Sequence, residues 1–136
     1  MERPLGVTIL AVVAFISGTL GVLKGLVALG LGGVAASWMA TSYPVAGAVV
    51  GVLAVTYGVV ALILACFSLG FGFGAWNLKS WAWTLGVGTE VATLIWACLI
   101  AIGPGTLRGQ LWTIVLTGAI LYYLTRPDIK SAFGRV

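Results

Sequence analysis

The sequence predicts an all-α fold, an integral membrane four-helix bundle whose first two spans form a tight antiparallel hairpin. Three observations predict it. Hydrophobic residues make up 61% of the 136 positions and charged residues 7%, where soluble domains carry about 25% charge. The apolar residues gather into four runs, about 5–36, 45–75, 81–102 and 111–124, with polar residues at their boundaries, as a lipid solvent requires. Small residues then recur every seven positions along the first two runs. The mean hydropathy of +1.16 agrees with a membrane location. A chain of this length has room for one domain, 1–136.

The first run could be mistaken for a signal peptide, but it is too long, and further membrane sequence follows Ala35-Ala36-Ser37. It is read as a retained helix. Its Ala11, Ala14, Gly18, Gly21, Gly25, Ala28, Gly32 and Ala35 alternate spacings of three and four, and the second run repeats this in Gly47, Gly51, Ala54, Gly58, Ala61, Ala65, Ser68 and Gly72. A 3.5-residue period keeps one stripe facing a partner helix, and small side chains let two backbones approach where lipid removes the hydrophobic drive. Folding the chain near residues 38–43 sets Ala35 beside Gly47, Gly25 beside Gly58 and Ala11 beside Gly72. Gly18, Gly21, Gly25, Gly47, Gly51 and Gly58 are thus the expected helix-packing residues. A chain rich in Gly and Ala shows short runs of this kind by accident, but less readily over the whole length of two successive spans.

The breaks carry turn chemistry. Thr41-Ser42-Tyr43-Pro44 places Pro at the start of the second helix, Asn77-Leu78-Lys79-Ser80 makes the middle connection, and Gly103-Pro104-Gly105 stops the third helix. After the fourth run, Thr125-Arg126-Pro127-Asp128 reads as an N-cap with an acid three residues on. A short interfacial helix over about 126–134 is expected, with Ile129, Ala132 and Phe133 on its apolar face. The first two runs are each about 30 residues, or about 45 Å as helix, against a hydrocarbon core of about 30 Å. They must tilt, or be covered where they leave the bilayer.

Four spans put Arg3, Lys79, Arg126, Lys130 and Arg135 on one side, and Arg108, with Lys24 if it snorkels, on the other. The positive-inside bias therefore sets both termini in the cytoplasm of a multi-pass protein of the cell membrane. Trp76, Trp81, Trp83, Tyr122 and Tyr123 fall near the inner interface, and Trp38, Tyr43 and Trp112 near the outer one, where they act as anchors. The net charge of +4 reflects orientation and anionic lipid rather than nucleic acid, because no basic groove interleaved with aromatics is present.

Glu90 is the only acid inside the four runs, and it lies near the middle of the third. An ionisable group at that depth is a functional candidate. Ala82, Gly86, Glu90, Thr93, Ala97 and Ala101 share one helical face, so Glu90 is expected to point inward. A dry site holds the carboxyl neutral unless a cation or several donors hold it ionised. Tyr57, Thr117 and Lys24 are the candidate partners in a possible ion or proton site, Lys24 lying farthest toward the outer surface. A protonated carboxyl bonded across helices is the structural reading, which a lone acid without a second polar relay favours over transport.

Nothing else in the inventory suggests catalysis or a metal site. There is no His, no acidic pair and no Gly-rich phosphate loop, so hydrolytic, phosphoryl-transfer and zinc chemistry lack their groups. An enzyme is not expected. Cys66 and Cys98 fall at different depths, which argues for packing rather than a disulfide. No cofactor is evident, although a pigment or lipid held through weaker contacts stays open.

Arg3-Pro4-Leu5-Gly6-Val7-Thr8-Ile9-Leu10, Trp76-Asn77-Leu78-Lys79-Ser80-Trp81-Ala82-Trp83 and Leu121-Tyr122-Tyr123-Leu124-Thr125-Arg126-Pro127-Asp128-Ile129-Lys130 carry a resemblance. The chain resembles small uncharacterised four-span membrane proteins of bacteria and archaea. The resemblance covers the helix boundaries and implies no activity. The leading expectation is a structural or accessory subunit of a membrane assembly, with membrane lipid and either copies of itself or other membrane subunits as partners. The alternatives are a small proton- or ion-coupled transporter or channel using Glu90, and a lipid- or pigment-binding module.

Overall fold

The computed structural model describes residues 5–102 and 107–134, and every regular element among them is a helix. In chain order these are α1 (Leu5–Ser42), α2 (Pro44–Trp76), α3 (Ser80–Ala101), α4 (Leu107–Leu124) and α5 (Pro127–Ala132). The first three are long and apolar enough to cross a membrane. The expected stop at Gly103-Pro104-Gly105, together with Arg3 and Arg135, lies outside the described residues.

The first helix runs farther than its apolar run, through Trp38 to Ser42, and the turn shrinks to Tyr43 alone. Before Pro44, no residue interrupts the backbone ladder. The Ser37 and Thr41 hydroxyls donate to the carbonyls of Val34 and Trp38 rather than competing for a turn. Tyr43 N–H donates to Met39 O at 2.7 Å, and Gly47 N–H donates to Tyr43 O at 2.9 Å. Pro44 opens α2, at the one end of a helix where its missing N–H costs nothing.

The other end of α2 closes differently. Leu78 takes φ of 52°, Leu78 N–H donates to Ala75 O at 3.1 Å, and Lys79 N–H donates to Gly74 O at 2.9 Å. This is the paired bonding that ends a helix through a left-handed residue, a place usually held by glycine. Leu78 occupies it because its side chain packs against the hydrophobic core.

The chain divides into two compact units, one made of Ile16–Cys66 and the other of Met1–Phe15 with Phe67–Val136. Within the Ile16–Cys66 unit, small residues of α1 and α2 meet in opposite chain directions. A Cβ built on Gly25 would lie 3.0 Å from Gly58 O, and one built on Gly58 would lie 3.0 Å from Gly25 O. Gly21 stands against Ala65, Gly32 against Ala54, Gly51 against Ala36, and Gly47 against the backbone of Ala36 and Ala40. Gly18, Gly25, Gly47 and Gly58 are buried, while Gly30 and Gly33 are exposed with nothing within 4 Å of a built Cβ.

The larger unit holds the hydrophobic core. Val7, Leu10, Ala11, Ala14, Phe71, Ala75, Ala82, Leu124, Ile129 and Phe133 are buried together. Its close approaches again rest on small residues: Gly72 lies against Ala11 and Phe15, Gly74 against Ala82 and Trp81, and Gly86 against the Phe71 ring. Gly6 sits under the Tyr123 hydroxyl. Ile129 and Phe133 turn α5 onto this core, so its apolar face packs on protein. The cap differs from the sequence expectation. Arg126 is the N-cap and makes no side-chain cap bond, because a guanidinium only donates; the Thr125 hydroxyl donates to Tyr122 O at 2.8 Å.

Candidate intramembrane polar site

A side-chain bond marks the register of α3 against α4. Trp83 Nε1–H donates to Leu124 O at 3.0 Å, tying the first turn of one helix to the last turn of the other. The two helices pack together extensively, and α4 begins six positions after α3 ends, so they run antiparallel. Moving up α3 therefore means moving back along α4. One turn on from Trp83 and Leu124 come Val87 and Ile120, both packed against the core. Seven positions on from the bond, about 10 Å along each helix, come Glu90 and Thr117.

The structure thus brings Glu90 and Thr117 to one level of one unit. Glu90 is half-buried and Thr117 is 4% exposed. Among the described residues no hydrogen bond joins the two side chains. Tyr57 and Lys24, the other two candidates, belong to the Ile16–Cys66 unit and are exposed there.

Sequence reasoning passed over Thr89. It is 5% exposed, more deeply placed than Glu90, and its hydroxyl donates to Leu85 O at 2.7 Å. Thr93 repeats the device by donating to Thr89 O at 2.8 Å. A threonine that bonds the carbonyl four residues back satisfies its proton within its own helix and leaves its oxygen able to accept. The inward face of α3 therefore centres on Ala82, Gly86, Thr89, Thr93 and Ala97, with Glu90 on the flank toward α4. The signal was present in the spacing, since 82, 86, 89, 93 and 97 are separated by steps of three or four, which keep to one helical face. On the opposite flank Phe67, Leu85, Gly88, Thr89 and Ala92 line an open apolar groove of about 220 Å³.

Aromatic residues close the α5 end of the unit. Lys130 Nζ lies 5.6 Å from the centre of the Trp83 ring, and the Arg126 guanidinium lies 5.9 Å from that of Tyr122. Trp83 and Tyr123 were expected to be interfacial anchors, but they are half-buried and packed against the core. By contrast Trp38, Tyr43, Trp112 and Tyr122 are exposed. Replacing Trp83 with Phe should cost about 1 kcal/mol, the net worth of one hydrogen bond. A denaturation series in micelles measures this, and Trp112→Phe, at a more exposed position, serves as the neutral comparison.

Among the described residues no group of three or more His, Cys, Asp or Glu is placed to hold a metal. Cys66 and Cys98 are free thiols on exposed positions, not packed inside as expected, because both lie on outward faces of their helices. Among the described residues the polar site therefore consists of one carboxyl, Glu90, with Thr117 at its level on the neighbouring helix. Comparison with protein-family models, with curated proteins and with solved structures finds no match.

Proposed function

We propose that this chain is a non-enzymatic structural or accessory subunit of a membrane assembly, built as a four-helix bundle with α1 and α2 as its hairpin. The observation that carries the reading is apolar length without cover. At 38 and 33 residues, α1 and α2 extend about 57 and 50 Å, against a hydrocarbon core of about 30 Å. Tilt absorbs part of the excess. Around the Tyr43 turn, however, Leu31, Val34, Trp38, Tyr43, Val45 and Val52 all present large apolar side chains outward. Apolar surface beyond the bilayer calls for a protein neighbour. The charge distribution supports both termini in the cytoplasm, with Lys79, Arg126 and Lys130 on that side and Arg108 opposite.

The test is purification of the full chain from its native membrane in lipid nanodiscs without crosslinking, followed by mass spectrometry. A discrete heteromeric complex is the expected result. A chain that migrates alone, or only with copies of itself, overturns the reading.

A further inference from the structure

We propose that Glu90 is a proton-binding site that exchanges its proton with the end of the unit where α4 begins, along a polar stripe formed by Thr117, Thr113 and Gln110. The stripe follows from the Trp83 to Leu124 bond. Leu124, Thr117 and Gln110 are spaced by seven, and Thr113 fills the next position of the same face. Thr117 is buried, and Thr113 and Gln110 are half-buried, as residues on a helix contact are. In the antiparallel register Thr117 is level with Glu90, Thr113 lies about one turn farther, and Gln110 about two. Gln110 is in the first turn of α4, next to exposed Arg108 and Gly109.

The two directions away from Glu90 are chemically unlike. Toward α5 the next levels are Val87 with Ile120, then Trp83 with Leu124, and then the packed core closed by Ile129 and Phe133. That direction offers no proton carrier in the contact between α3 and α4. Toward the start of α4 the stripe offers two hydroxyls and an amide, each able both to donate and to accept. A carboxyl at this depth, about 15 Å from either end of α3, therefore has one polar route and one apolar plug.

Among the described residues of the unit no other ionisable group lies at that level. Residues 5–15 of α1 and 67–76 of α2 contain no Asp, Glu, Lys, Arg, Cys or Tyr. On α4, Arg108 lies at the start and Tyr122 and Tyr123 at the far end. Cys98 is exposed on α3, two turns past Glu90, and Asp128 and Lys130 belong to α5. One carboxyl among neutral hydroxyls is suited to trading a proton, and the absence of a multi-ligand cluster among the described residues argues against a metal cargo. This inference does not depend on the assembly reading, since an accessory subunit and a free protein can both carry such a site.

The experiment uses the full chain in liposomes, with infrared detection of the carboxyl stretch during pH titration and after transfer to deuterated buffer. The expected result is a titrating carboxyl band lost in Glu90→Gln. Thr113→Val and Thr117→Val should retain the band, with its deuterium exchange slowed about tenfold, the rate equivalent of one hydrogen bond removed. Circular dichroism checks that each variant keeps its helix content, and Gln110→Leu provides a third variant at the mouth of the stripe. Absence of a titrating band that depends on Glu90 overturns the site. Unchanged exchange in folded Thr113→Val and Gln110→Leu overturns the route.

Discussion

Gly47→Ala is expected to destabilise the protein by about 2–3 kcal/mol, the upper range for forcing one methyl group into a packed contact. A Cβ at position 47 would lie 2.6 Å from Ala40 N and 2.7 Å from both Ala36 O and Ala40 Cα. These are backbone atoms of α1, and no rotamer change moves them aside. Elsewhere the obstacle is softer, as at Gly25, where the nearest atoms belong to the end of the Leu62 side chain. Gly33→Ala is the matched control: nothing lies within 4 Å of its Cβ, and helix propensity favours alanine by as much as about 1 kcal/mol. Denaturation in mixed micelles followed by circular dichroism compares the two. If Gly47→Ala unfolds at the same denaturant fraction as Gly33→Ala, the close approach at the Tyr43 turn does not hold that unit together.

Phe133→Ala is expected to cost about 3–4 kcal/mol, as for a buried aromatic truncated in a well-packed core. Phe133 is 1% exposed and packs with Ile129, Leu124 and Val7. The consequence reaches beyond the lost contact. At six residues, α5 is far too short to hold its helix by propensity alone, so it forms because Ile129 and Phe133 dock. Limited trypsin digestion should therefore cut after Lys130, which Ser131 follows, faster in the variant, and the ring contact between Lys130 and Trp83 should be lost with the helix. Equal cleavage rates in Phe133→Ala and the parent chain would show that the docking does not order α5.

Both expectations rest on neighbours, and this marks where reading the sequence stopped. The all-helical class, and the boundaries of α2 and α3 to within a residue, were legible because apolar runs and their breaks are local properties. The 3.5-residue spacing sets Gly25 beside Gly58, and these stand against one another, but it sets Ala35 beside Gly47, where Ala36 and Ala40 stand instead. The end of α1 lies beyond its apolar run because Ser37 and Thr41, which look like turn residues, bond the carbonyls of Val34 and Trp38 within the helix. The cap of α5 falls one residue later than Thr125, at Arg126, because Pro127 takes the first helical position. The Glu90 site was half legible. Spacing offered Thr117 and Tyr57 near the depth of Glu90 and Lys24 farther out; of these only Thr117 lies in the same unit as Glu90.

The sequence by itself determined the solvent this protein is built for, the helices that solvent imposes, and the single carboxyl set among them. Lipid leaves backbone groups no partner but their own helix, so composition and run length suffice. Only the tertiary structure decided the register. Depth along a helix is fixed by counting residues, but which residue of a neighbour shares that depth depends on how the two helices pack, marked here by the Trp83 indole on the Leu124 carbonyl. That register sets Glu90 level with Thr117, with the core on one side of it and the α4 polar stripe on the other.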